Sequence, residues 1–205
     1  MTLKHAALAF AFLTLCAFKA NAIQVDDIEM PDVLPATKNH PELHINGAAL
    51  RELYLLIRSY VGALYLEHPT TNAEEALNSE THKRMVFHVL LKKVGARRIA
   101  NALQEALVVN VTAEEHDQLR GAIDQMLGYF DGKMHEGEEA SFDYMPGKGT
   151  LVTINGEEKG VIKGKLFFHA LLSIWIGENP VGREFKEEIL GLHRAPEEKQ
   201  VAHSE

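Results

Sequence analysis

The sequence predicts an α+β domain built on a mainly antiparallel sheet, and three features predict it. Asn155-Gly156 stands between two β-rich runs, 150–154 and 158–162. A type I′ hairpin turn needs positive φ at both central residues, which this pair supplies. Between His82 and Leu91 the side chains alternate with period two. Thr112 with Glu115 three residues on forms a capping box that opens an amphipathic helix. Strands and helices follow one another without the strict β-α-β alternation of a parallel sheet.

In chain order, residues 23–41 read as a polar lead-in punctuated by Pro31, Pro35 and Pro41. Leu50–Arg58 and Tyr60–Glu67 are rich in Tyr, Leu and Val, and predict a hairpin turning at Arg58-Ser59. In the next strand Met85, Phe87, Val89 and Leu91 form the expected core face. A helix from about Ala96 puts Ile99, Leu103, Ala106 and Leu107 on one face, and the capped helix carries Leu119, Ile123, Met126, Leu127 and Phe130 as its stripe. A meander follows over 140–162, its first turn made by Pro146-Gly147-Lys148-Gly149. Residues 166–176 are apolar nearly all round, which predicts a buried helix ended by Gly177 at the C′ position. Asn179-Pro180 opens a last helix with Phe185 and Ile189 inward and Gly191 closing it. The domain is therefore expected over 42–191, with a disordered tail over 192–205.

The N-terminus predicts export. Lys4 precedes an apolar run from Ala6 to Phe18, and Ala20-Asn21-Ala22 has the small-x-small pattern of a signal peptidase site. The run is too short to span a bilayer comfortably, so residues 1–22 read as a signal peptide and the product as periplasmic or secreted. The one cysteine, Cys16, leaves with it. The product then has no disulfide and no thiolate, and must be held by its core. A formal charge of −8, made more negative by the loss of Lys4 and Lys19, argues against nucleic-acid and anionic-headgroup partners. No later stretch is apolar enough to cross a membrane, and nothing in the sequence sets an oligomeric state.

No general catalytic motif stands out. Gly147-Lys148-Gly149-Thr150 lacks the upstream glycine of a phosphate loop and joins two strands, so it reads as a turn. The eleven histidines include no His-Glu-x-x-His, and His82 and His88 are too far apart on one strand to share an ion. They read as solvated. No Gly-x-Ser-x-Gly elbow is present, and no metal or cofactor is implied.

Five stretches are more telling in combination. They are Asn46-Gly47-Ala48-Ala49-Leu50-Arg51, Val61-Gly62-Ala63-Leu64-Tyr65-Leu66, the run from Asp143 to Gly156, Leu171–Gly177, and Asn179-Pro180-Val181. In this order they resemble the chalcone isomerase-like family, in particular its exported bacterial branch, over roughly residues 42–191. The resemblance implies an open-faced β-sandwich: a large antiparallel sheet covered by helices around an apolar cleft. Plant members of this family close a flavanone ring, while a related group binds fatty acids. Arg51 matches an arginine that both groups place in the cleft. Tyr60 matches a position that is tyrosine in the fatty-acid binders and threonine in the plant enzymes. Ile99, Ala106 and the neighbourhood of Ala170 fall where the enzymes carry hydrogen-bonding side chains.

From the residues alone a strand arginine such as Arg51 more often pairs internally or snorkels to the strand end; the resemblance makes Arg51 and Tyr60 the expected carboxylate site. A guanidinium keeps its charge and offers a planar fork matched to two carboxylate oxygens, and a tyrosine hydroxyl adds a third donor. Three functions follow. The first is a non-catalytic binder of a small amphipathic carboxylic acid such as a fatty acid. The second is an isomerase acting on an enone or phenolic substrate, with Arg51 stabilising the developing anion and Tyr60 donating a proton. The third is a periplasmic protein-interaction module, in which Arg51 pairs internally and the cleft is merely core.

Overall fold

The structure, a computed structural model, describes residues 22–54 and 56–193. Two short strands come first, β1 (Ala22–Val25) and β2 (Ile28–Pro31), followed by β3 (Val33–Leu34). The long hairpin β4 (Leu43–Leu53) and β5 (Ile57–Leu66) comes next, then α1 (Ala73–Asn78), β6 (Lys83–Val89) and β7 (Lys93–Gly95). Two helices, α2 (Ala96–Val108) and α3 (Ala113–Tyr129), lead to β8 (Lys133–His135). The meander is β9 (Glu139–Met145), β10 (Gly149–Ile154) and β11 (Glu157–Lys163), and α4 (Lys165–Ile176) and α5 (Arg183–Ile189) close the domain.

Seven strands form one antiparallel sheet in the order β11-β10-β9-β6-β5-β4-β3, and two-stranded pairs β1-β2 and β7-β8 stand apart. The predicted α+β class, with a large antiparallel sheet covered by helices, is the observed one. Alternation divides the sheet's side chains between its two faces. Ala49, Leu64, Met85, Phe87, Phe142 and Val152 face the helices and join the main core. Nine of the twelve residues of α4 are buried there, as its all-round apolarity predicts. Val61, Ala63, Tyr65 and Val86 face the other way, where the β1–β2 hairpin covers them through Met30. The lead-in is thus more ordered than its prolines suggest. Ile23 and Val25, then Ile28 and Met30, are period-two pairs either side of Asp26-Asp27.

Several local expectations hold in detail. The capping box at Thr112 and Glu115 is formed both ways, and Asn155 (φ 51°) and Gly156 (φ 77°) make the I′-type turn. Others shift. The β4–β5 turn falls between Leu53 and Ile57 instead of at 58–59, because the pairing runs on past a bulge. Arg51 pairs with Tyr60 and Glu52 with Arg58, which leaves Ser59 as the extra residue. Arg58 therefore belongs to β5, where its guanidinium meets Asp26 and Asp27 of the β1–β2 turn. Gly177 has φ −71°, so it is not a left-handed C′ residue. Close packing accounts for it: a Cβ there would lie 2.5 Å from the Ser173 carbonyl oxygen. Helix α5 starts three residues later than Asn179-Pro180 suggests, since Val181 N–H donates back to the Ile174 carbonyl (2.9 Å) and holds the intervening loop.

The Asn46-Gly47 pair has a structural task. Asn46 is the extra residue of a second bulge on β4. Its side chain donates to the Ile189 carbonyl (2.9 Å) and accepts from Thr70 N–H (2.7 Å), tying the end of α5 to the sheet. Gly47 lies directly under that helix end. Phe185 of α5 then reaches Gly62 and packs edge-on to Tyr60, with ring centroids 5.8 Å apart.

Candidate functional site

The Ser59 bulge sets the site, since bulges re-aim the side chains beside them. Arg51 and Tyr60 are direct cross-strand partners next to it. Both line a cavity of about 560 Å3 between the β4–β5–β6 end of the sheet and the helices α2 and α4. That volume falls within the roughly 300–1,000 Å3 usual for small-molecule sites. The walls are mostly apolar: Leu53, Ile57, Phe87, Val89, Ile99, Leu103, Ala106, Ile174 and Val181 contribute. The two sequence-predicted site residues are thus brought together.

Tyr60 is held from two sides. Its ring packs against Phe87 (5.9 Å between centroids) and Phe185, and its hydroxyl oxygen accepts a hydrogen bond from Trp175 Nε1 at 2.9 Å. Burial pushes its pKa up to about 12, against the smaller downward pulls of the Trp175 hydrogen bond and the Arg51 charge. The phenol therefore stays protonated at neutral pH, and with its acceptor side engaged its own proton is available to a ligand. Arg51 donates one hydrogen bond, from Nη1 to the Glu52 carbonyl at 2.7 Å. Among the described residues no carboxylate pairs with it. Lys93 and Arg98 also line the cavity, and no acidic residue does. The site offers positive charge at its polar points and hydrocarbon elsewhere.

Three of these residues were missed in the sequence. Trp175 stands in a family-like stretch, but its bond to Tyr60 spans 115 positions. Lys93 and Arg98 belong to adjacent basic pairs in an acidic chain, which is a readable signal. Their place at the cavity depends on the β7–β8 ribbon, whose strands are three residues each. At the positions where the plant enzymes carry polar groups, Ile99 and Ala106 do line the cavity, whereas Ala170 is core.

No cluster of three or more His, Cys, Asp or Glu side chains suited to an ion occurs among the described residues. His82 and His88 are not simply solvated, since each meets a carboxylate: Glu67 at 2.7 Å and Glu139 at 3.2 Å. Lys83 is the unusual one. It is 1% exposed, donates to the Leu77 carbonyl at 3.0 Å and lies 5.7 Å from the centroid of the Tyr144 ring. Burial, reinforced by the nearby Lys165, lowers its pKa from 10.5 to about 8, with Glu80 opposing. A depressed lysine pKa means that folding is penalised while the ammonium is charged. Between about pH 8 and 10.5 the unfolded chain holds a proton that the folded one has lost, so stability rises with pH there. Urea unfolding should show Lys83→Met gaining on the wild type at neutral pH and the gap narrowing across that window. A gap independent of pH would contradict the assignment.

The sequence profile of chalcone isomerase-like proteins matches residues 22–191. No curated protein sequence matches the chain. Among solved structures, the crystal structure of a fatty-acid binding protein from Arabidopsis thaliana superposes with a TM-score of 0.68 at 16% sequence identity, covering 83% of this chain and 96% of that one. At that identity the likeness speaks for the fold. Because the profile spans every element from β1 to α5, the chain belongs to the chalcone isomerase-like family.

Proposed function

We propose that the chain is an exported, non-catalytic binder of a small amphipathic carboxylic acid such as a fatty acid. Arg51 and Tyr60 take the carboxylate and the apolar cavity takes the hydrocarbon. One observation carries this reading: a guanidinium without a carboxylate partner among the described residues stands directly across from a protonated tyrosine, in a mostly apolar cavity whose other charged lining residues, Lys93 and Arg98, are also cations. Arg51 is half-buried, and a charge-assisted bond to an anion is stronger beside apolar walls than in open water. The fold shared with a protein named for fatty-acid binding adds support. Export rests on the Lys4, Ala6–Phe18 and Ala20-Asn21-Ala22 pattern.

Both alternatives lose ground to specific features. An isomerase needs groups that orient a polar substrate, and Ile99 and Ala106 offer none where they meet the cavity. A tyrosine with a pKa near 12 is also a poor proton shuttle at neutral pH. A pure interaction module predicts a closed cleft with Arg51 paired internally, whereas the cavity is open and, among the described residues, Arg51 bonds a neighbouring carbonyl and no carboxylate.

Native mass spectrometry of the exported protein is the direct test. We expect a chain beginning at Ile23 that carries one acid per molecule, released into organic solvent. An empty protein that also takes up no added fatty acid would overturn the binder.

A further inference from the structure

The most exposed large apolar side chains among the described residues are Tyr54 and Leu56, at 88% and 87% exposure. Both sit on the β4–β5 tip, flanked by Leu53 at 36% and Ile57 at 45%. Scattered exposed apolar residues are ordinary, but a cluster at one projecting tip marks a contact surface. The backbone adds a second observation. Tyr54 has φ 54°, a conformation that Asp26 and Asn155 also adopt, but they are residue types that tolerate it. A tyrosine is strained there, and such strain concentrates at functional positions.

Charge supplies the third observation. Lys93 and Arg98 line the same cavity mouth as Leu53, Tyr54 and Ile57. Lys92 and Arg97 lie exposed beside them in the chain. None of these four cations forms an ion pair with a described carboxylate, although the chain as a whole carries −8. An acidic protein thus sets two cations without a described carboxylate partner, Lys93 and Arg98, in the same cavity lining as its exposed apolar tip, with exposed Lys92 and Arg97 next to them in the chain.

We infer that the β4–β5 tip docks on an anionic lipid surface, with Tyr54 and Leu56 entering the interface and the surrounding cations meeting the headgroups. Tyrosine suits the boundary between headgroups and hydrocarbon, and each basic residue near an anionic surface strengthens binding about fivefold. The overall negative charge does not forbid this, because screening confines the interaction to charges within roughly 10 Å of the surface. Docking so would turn the cavity mouth toward the membrane, the source or destination of an acyl ligand. That last step rests on the acid-binding reading, whereas the docking itself does not.

The test uses the mature chain and two kinds of vesicle, phosphatidylcholine alone and phosphatidylcholine mixed with phosphatidylglycerol, without fatty acid. Flotation at low salt should carry the protein with the mixed vesicles and much less with the neutral ones. Leu56→Ser should weaken that binding at least about tenfold. The charge reversal Lys92→Glu with Arg97→Glu should abolish the preference for anionic vesicles. None of these three positions lines the cavity, so affinity for octanoate, titrated separately without vesicles, should be unchanged. Vesicle binding without octanoate binding would sink the acid-binding reading and leave the docking intact. A wild type that floats with neither vesicle, or a Leu56→Ser variant that floats as well as wild type, would overturn the docking and leave the tip to a protein partner.

Discussion

Gly47→Ala is expected to destabilise the fold by about 3 kcal/mol or more, among the largest effects of any single methyl group in this protein. A Cβ at this position would lie 2.1 Å from the Glu188 carbonyl oxygen and 2.5 Å from that of Ile189. Both neighbours are backbone, so no rotamer change relieves the clash. The end of α5 must lift off the sheet instead. Lifting it breaks the bond from Asn46 to the Ile189 carbonyl and withdraws Phe185 from its place over Gly62 and against Tyr60. Gly47 does not have a positive φ, so the cost is steric and not conformational. Urea or thermal unfolding would measure it, with a fall in Tm of roughly 2–4 °C for each kcal/mol. A variant as stable as the wild type would mean that α5 does not rest on this bulge. Octanoate affinity should fall as well, since Phe185 helps to hold the tyrosine.

This coupling shows which parts of the molecule the sequence discloses and which it withholds. Elements specified by neighbours in the chain were legible. The Thr112–Glu115 box, the Asn155-Gly156 turn and the Met85-Phe87-Val89 face are local patterns, and each forms as read. Register was not legible. The two β-rich runs placed the turn at Arg58-Ser59, whereas the structure has a bulge at Ser59 and turns earlier, between Leu53 and Ile57. The reason lies in long-range pairing: Arg58 answers Asp26 and Asp27, about thirty positions away. The β7–β8 ribbon escaped notice because three-residue strands are too short to show a period. The site followed the same rule. Arg51 and Tyr60 were visible as residue types that suit a carboxylate, but their direct opposition depends on the bulge, and the Trp175 bond depends on where α4 packs.

Arg51→Ala should weaken octanoate binding between about tenfold and more than a hundredfold. Charge-assisted hydrogen bonds contribute about 1.5–3 kcal/mol each, and a guanidinium can offer two to one carboxylate. Folding should be little affected, because the bond that Arg51 makes within the chain is to the adjacent Glu52 carbonyl. The pH dependence separates this from a general loss of apolar contact. Arginine keeps its charge throughout, and Tyr60 remains a donor to about pH 12, so the protein side of the interaction is constant across the neutral range. What titrates is the ligand. As pH falls through the carboxylate range of roughly 4–5, the neutral acid loses its claim on the guanidinium, and wild type and variant should converge. Tyr60→Phe should cost less, about 1 kcal/mol of binding, and should separately lower stability, because Trp175 Nε1 loses its acceptor with or without ligand. An Arg51→Ala variant that binds octanoate as tightly as wild type at neutral pH would remove the arginine from the site. A deficit that persists undiminished at acidic pH would assign the loss to packing in place of charge.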